Sequence, residues 1–364
     1  MNLKWLTSLV VFVFAVVGSS MARAQNVKIT PLGAQAGEFC VPDRALLFED
    51  PTGVRVLIAP GRTVNGSADS RLGATGSIHV VLIDHPHVDH IGDVLQNCSG
   101  QQAGTFAFPG EGNAPEIAAV HNSAVLVGGE LPDFFTQKIR NVTGTAPAGC
   151  PAAGLDNTFT VPRTSPCVGV IRGGTRTAIF DGAAKGVKIT TIPAFHAAGA
   201  SRMHVDELRE SNDPASAIVA DPGVPFGLTG YAGSETGYII RFSNGLSVLW
   251  TGDSGLIGDW ATQADFYDIN LAVVHGGDLF TMGPDEAAFA VKRLIKPRSV
   301  IPEHFNQVST SAGKVNEGTR LERFIQQLSS RGGQDDRHGN RGGIKVVVPL
   351  SGVDISCNGK GDCQ

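Results

Sequence analysis

Apolar residues along this chain come in short blocks separated by Gly, Pro and polar turns, the pattern of a sheet-rich protein with interleaved helices. Strand-like blocks come early at Val27 to Thr30, Ala45 to Phe48 and Val54 to Ile58, the last two joined by the turn Pro51-Thr52-Gly53. The apolar run Ile78-His79-Val80-Val81-Leu82-Ile83 predicts a buried strand. Strand and helix signals then alternate through Thr105 to Phe108, Pro115 to Val120, Ala124 to Val127 and Leu131 to Ile139. Strands resume at Cys167 to Ile171, Thr177 to Phe180 and Val187 to Pro193. The last third predicts strands at Tyr238 to Phe242, Leu246 to Trp250, Leu271 to Val274, Ser299 to Ile301 and Ile344 to Val348. Its helices are one opened by Pro284 and running to about Ile295, and one near Leu321 to Leu328. Two stretches break the pattern. Residues 141–166, rich in Gly, Ala, Pro and Thr, read as a loop insertion stapled by two cysteines and outside the core, and residues 197–233 read as an irregular lid. The whole predicts an α/β (α+β) fold of two sheets faced by helices, with strand ends meeting at one edge.

The first segment, Met1 to Ala24, has Lys4, an apolar core from Trp5 to Val17 and the small-residue end Ala22-Arg23-Ala24. These are the parts of a cleavable secretory leader, and the core is too short for a comfortable membrane span. The expected protein is periplasmic or secreted, with residues 25–364 as one domain carrying insertions near 141–166 and 197–233; an uncleaved anchor is the alternative. The leader takes two of the 29 basic residues and leaves the rest outnumbered by 34 acidic ones, with no Lys/Arg cluster. That balance argues against nucleic acid as a partner and for a small-molecule substrate, with no membrane contact once the leader is removed. All six cysteines lie beyond the leader, and an even count in an exported chain points to disulfides. Cys150 with Cys167 and Cys357 with Cys363 are the local pairs, which leaves Cys40 with Cys98; other pairings and buried free thiols stay open at this stage.

Candidate chemistry changes the picture at His85-Pro86-His87-Val88-Asp89-His90, which follows the apolar run directly. Three imidazoles and a carboxylate in six residues do little for packing and much for divalent cations. His85 and His87, two apart on an extended segment, point the same way and can share one metal, while Asp89 and His90 sit past a bend and can face a second. A histidine-rich surface loop or a closed structural zinc site is the bland reading, and the absence of Cys from the cluster counts against the latter. Three more ligand-type residues end apolar strands: His196 after Ile189 to Phe195, Asp253 after Val248 to Gly252, and His304 after Ser299 to Glu303.

With these in place the chain resembles the metallo-β-lactamase fold hydrolases, whose ligand order is H-x-H-x-D-H, then His, then a bridging Asp, then His. It is most similar to metal-dependent hydrolases related to L-ascorbate 6-phosphate lactonase. The matching stretches are Gly252-Asp253-Ser254, Gly277-Asp278-Leu279-Phe280-Thr281-Met282-Gly283-Pro284 and Ile301-Pro302-Glu303-His304-Phe305-Asn306. The resemblance runs from Gly37 onward and implies an αββα sandwich with two divalent metals between the sheets, zinc first and manganese or iron as alternatives. It implies His85, His87 and His196 at one site, Asp89, His90 and His304 at the other, and Asp253 bridging. It further implies a hydroxide held between the metals and oriented by Asp89, acting on a lactone, cyclic amide or phosphoester. Two departures stand out. Ile58-Ala59-Pro60 replaces a relative-type I-D-P, which removes an outer carboxylate, and Gly37-Glu38-Phe39 stands where relatives carry Gly-His-Ser.

Outside the ligands, His275 and Asp278 flank Gly276-Gly277 and are candidates for an outer-shell partner or proton donor, with His275 the one assigned to catalysis. His204, Tyr231 and Tyr238 are weaker candidates for the pocket wall. Phosphodiesterase and β-lactamase activities use the same centre and are alternatives. From other classes, an iron-dependent oxidoreductase with three His ligands and a noncatalytic binding protein compete, and the full ligand set counts against both.

Overall fold

The structure, a computed structural model, describes residues 26–107, 112–128, 131–196, 199–200, 230–231, 235–329 and 343–364. The expected leader therefore lies outside the described residues, as do His204 and most of the 197–233 stretch. Two eight-stranded sheets face each other. The first contains Val27–Pro31, Leu46–Glu49, Arg55–Ile58, Val80–Ile83, Ala124–Val127 and Cys167–Val170, with Ile355–Cys357 and Ala148–Gly149 at its edges. The second contains Thr158–Val161, Thr175–Phe180, Val187–Pro193, Thr236–Arg241, Ser247–Trp250, Leu271–His275, Ser299–Glu303 and Lys345–Val346.

Strict alternation along the strands builds three apolar layers. Val56, Ile58, Val80, Leu82, Ala124 and Leu126 point inward to meet Val248, Trp250, Leu271, Val273 and Ile301 from the other sheet. Their neighbours Leu57, Val81, Ile83, Val125 and Val127 point outward onto the helices Asn113–His121 and Leu131–Thr143. On the far side Leu249, Ala272, Val274 and Val300 pack on Trp260–Phe266, Pro284–Phe289 and Arg320–Ser329. Central strands covered on both faces read as unbroken apolar runs, which is why Val80-Val81-Leu82-Ile83 was legible as buried. Each such side chain contributes roughly 1.5–3 kcal/mol on burial, so the αββα sandwich is held chiefly by its layers.

All six cysteines pair as Cys40–Cys98, Cys150–Cys167 and Cys357–Cys363. Three expectations need correction, and two elements were not anticipated. The 141–166 stretch is not merely a loop: Thr158–Val161 pairs with Thr175–Phe180, and Phe159 and Val161 sit in the core between the sheets. Its Thr-Phe-Thr-Val alternation is a strand signal that the surrounding Gly and Pro obscured. The strand expected at Thr105 to Phe108 is instead Gln102–Gly104, paired only with Leu95–Gln96, because Phe106 turns inward to pack beside Gly92. The helix Trp260–Phe266 and the last strand Ile355–Cys357 carry no strong sequence signal and take their form from packing. Tyr238 does not line a pocket: its ring is fully buried and its hydroxyl donates to the Ile83 carbonyl across the sandwich.

Candidate metal centre

The strands Ser247–Trp250, Leu271–His275 and Ser299–Glu303 run parallel, so the residues after them gather at one edge. Facing them, Val80–Ile83 ends in Asp84 and His85. The chain stays extended through His87 and then makes one helical turn, Val88–Ile91, which swings Asp89 and His90 to a different side. Gly61 lies flat against this turn; a Cβ there would fall 1.6 Å from the Asp89 carbonyl oxygen. Gly252, at φ +63°, makes the sharp bend that presents Asp253.

Two ligand groups result. His85, His87 and His196 form one, with His196 Nε2 3.2 Å from His87 Nδ1. Asp89, His90, Asp253 and His304 form the other. His304 Nε2 lies 3.4 Å from Asp89 Oδ2 and 3.1 Å from Asp253 Oδ2, and His90 Nε2 lies 3.5 Å from Asp253 Oδ2. The same Asp253 oxygen is 3.8 Å from Nε2 of both His85 and His196, so it stands between the groups. Nε2 of His85, His90 and His304 is buried and makes no hydrogen bond. Imidazole nitrogens that converge on carboxylate oxygens without hydrogen-bond alignment are arranged to share a cation, so the donor set fits a divalent metal.

The electrostatics agree. Burial pushes Asp253 upward, but the charges of His304 and His90 and the hydrogen bond from His275 outweigh it and hold the carboxyl well below its usual range. Asp84 and Asp89 are held down in the same way, Asp84 by His90 and His85, and Asp89 first by Arg44. Burial lowers His87 to about 3 and His196 to about 4, helped by neighbouring imidazoles, so both are neutral and ready to ligate at pH 7. His90 is the exception: burial disfavours its proton, yet Asp84, Asp253 and Asp89 raise its pKa well above normal. Three buried anions therefore draw positive charge into a space where Arg44, bonded to Asp89, is the one fixed cation in contact with them among the described residues.

His275 is fully buried behind Asp253, its Nδ1 2.9 Å from Asp253 Oδ1 and its backbone N–H donating to Thr251 Oγ1. Its ring packs edge-on against Trp250 and stacks on His304, and its side-chain hydrogen bond is with Asp253. Asp278 lies on an exposed loop beside Arg320 and stays apart from both groups. Glu38 turns away to accept from Thr310 Oγ1, and no side chain of the Gly37-Glu38-Phe39 stretch joins either group. Ala59 holds φ +46°, a left-handed backbone that Asp and Asn adopt more readily than Ala, and offers no polar group.

Two residues escaped the sequence reading. Arg44 Nε lies 2.8 Å from Asp89 Oδ2, while its Nη2 donates to Asn306 Oδ1. Asp84, adjacent to the first histidine, touches His85, His90 and Trp250. An acid directly before H-x-H-x-D-H at a strand end was a usable signal; nothing near Arg44 was.

Fold and site together are those of a metal-dependent hydrolase. Residues 43–304 match the family model for the beta-lactamase superfamily domain. The chain belongs to the metallo-β-lactamase superfamily. It is 27% identical over 278 residues to a metal-dependent hydrolase from Cupriavidus necator, covering 76% of this chain and 75% of that one. A metal-dependent hydrolase from Cupriavidus taiwanensis is 26% identical over 323 residues, 87% and 92% of the two chains. A metallo hydrolase from the hyperthermophilic archaeon Ignicoccus hospitalis has a similar fold, with a TM-score of 0.50 and 20% identity over 90% of this chain and 98% of its own.

Proposed function

We propose that this protein is an exported hydrolase that holds two divalent ions, zinc first, and opens a lactone, cyclic amide or phosphoester. The observation that carries the reading is Asp253 Oδ2, within 3.8 Å of four imidazole Nε2 atoms drawn from both ligand groups. His85, His87 and His196 would hold one ion, Asp89, His90 and His304 the other, with Asp253 shared. When bound, the ions supply Lewis-acid polarisation of the substrate oxygen and a water acidic enough to attack at neutral pH. Asp89 is the most exposed carboxylate of the centre, with its side chain 21% accessible, and Arg44 keeps it anionic. A carboxylate held that far down is a weak proton acceptor, so its part is to orient the attacking water. His275 keeps Asp253 aimed between the groups and delivers no proton to the leaving group. Three disulfides using every cysteine support export to an oxidising compartment.

The test is elemental mass spectrometry on mature protein purified from the periplasm without added metal, beside His87→Ala. Close to two zinc or manganese per chain, reduced in the variant, is expected, followed by parallel assays on lactones, β-lactams and phosphodiesters. One iron per chain would turn the reading to oxidation, and a metal-free wild type would sink it.

A further inference from the structure

The acidic residue at the heart of the centre that belongs to neither proposed ion is Asp84. It follows the strand Val80–Ile83 and is 2% exposed. Its carbonyl accepts from the backbone and the hydroxyl of Thr236 on the opposite sheet, which pins the residue in place. Its Oδ1 accepts from His85 Nδ1 at 3.1 Å and lies 2.8 Å from His90 Nδ1. Its Oδ2 accepts from Trp250 Nε1 at 3.1 Å. One oxygen thus faces a histidine from each ligand group, and the other is committed to an indole.

We infer that Asp84 is a positioning residue that couples the two metal sites through the shared oxygen between His85 and His90; this rests on the two-ion reading above. At His85 the carboxylate hydrogen-bonds Nδ1 and leaves the lone pair on Nε2, while at His90 it stands 2.8 Å from Nδ1 without hydrogen-bond alignment and acts on the ring as a near charge. In both rings Nε2 is the atom that faces Asp253 Oδ2, at 3.8 Å and 3.5 Å. One ring at each site is therefore positioned by a single group. Asp84, His85 and His90 also lie close enough to be grouped as ligands themselves. That use would draw on Nδ1 of both rings, whereas Nε2 of both faces the Asp253 oxygen between the groups, so Asp84 acts on the rings and not on a metal. A cation on the Nε2 side of both rings would face this buried carboxylate across them. Ile58 pairs with Leu82 in parallel register, so Ala59 and Asp84 stand at adjacent strand ends, and Asp84 restores a carboxylate to an edge that Ala59 leaves without one.

The consequence is reciprocal coupling: an ion on one site stiffens the shared carboxylate and prepares the other. The test is stepwise zinc titration of metal-stripped mature protein against a chromophoric chelator. Wild type, Asp84→Asn, Asp84→Ser and His87→Ala would be compared, with far-UV circular dichroism and metal-free melting recorded for each. Asp84→Asn is expected to weaken both zinc steps by about 10–100-fold while the metal-free fold persists, whereas His87→Ala removes one step. Two unchanged steps, or one step weakened alone, overturn the coupling. So does a loss of the metal-free fold in both Asp84 variants, since the residue would then serve the fold. A wild type that takes up fewer than two zinc ions fails the two-ion reading instead, which separates the two results.

Discussion

The two ligand groups share an edge of the sandwich yet are built from different materials. The first consists of imidazoles alone, His85 buried and His87 and His196 partly exposed, the latter two held neutral by burial. Asp89, His90, Asp253 and His304 bring two carboxylates together, with Arg44 paired to Asp89 and His275 hydrogen-bonded to Asp253. In the first group His87 and His196 stay unprotonated until the pH falls to about 3 to 4, so burial itself keeps these two rings free for a cation. The second concentrates charge in a small space, so a divalent cation there would add to the balance that Arg44 supplies. The difference teaches that a single run, His85 to His90, feeds two sites of unlike electrostatics because one helical turn separates its ends.

The strongest way to break the contrast is Asp253→Ala. It removes the oxygen common to both groups, and metal content at both should collapse with activity falling more than about 100-fold, beyond the usual loss of an outer partner. Elemental analysis that still found both ions would abolish the bridging role. Next in size is the pair His87→Ala and His304→Ala, each expected to cost one ion and leave the other. Equal loss of both ions in either variant would mean the groups do not act as separate sites.

Acidification should separate them in order. In the metal-free protein His90 has a raised pKa, so its stabilising contribution is complete below the ordinary value of 6.5 and disappears as pH rises through the folded value. Asp84, Asp89 and Asp253 are depressed, so theirs is present above about 3.8 and is lost only as pH falls through the lowered values. An ion entering the second group must displace the His90 proton, whereas His87 and His196 hold none above about 4. Metal retention measured from pH 8 to 5 should therefore fall first for the second ion, by about tenfold per pH unit once His90 is protonated. Simultaneous loss would contradict the assignment. The smallest expected effect is Arg44→Gln. It removes the guanidinium paired with Asp89, leaving His304 beside it, and should destabilise the metal-free protein by about 1–3 kcal/mol, less than a fully buried pair because Asp89 is partly solvated. The melting deficit should shrink when metal is added, since a divalent ion then faces the carboxylate; an undiminished deficit would place Arg44's role in packing alone.

Much of this was open to reading in the chain. Val80 to Ile83 and Leu271 to Val274 were recognisable because strands covered on both faces carry no polar interruption. The His85 to His90 run was recognisable because ligands close in sequence cannot be far apart in space. Thr158–Val161 was obscured by a Gly- and Pro-rich neighbourhood, although Phe159 and Val161 alternate as a strand should. His275 showed its position at a strand end but not its burial or its contact with Asp253.

By itself the sequence determined the inventory of ligand-type side chains, the strands that end in them and the even set of cysteines, because spacing along a covalent chain and periodicity of burial are local properties. Only the tertiary structure decided which oxygen faces which ring. Asp84 meets Trp250 across 166 residues and Arg44 meets Asn306 across 262, contacts that exist only when the two sheets close. Their energies come from desolvating charge between those sheets, and no local pattern encodes where that closure will bring a guanidinium or a carboxylate to rest.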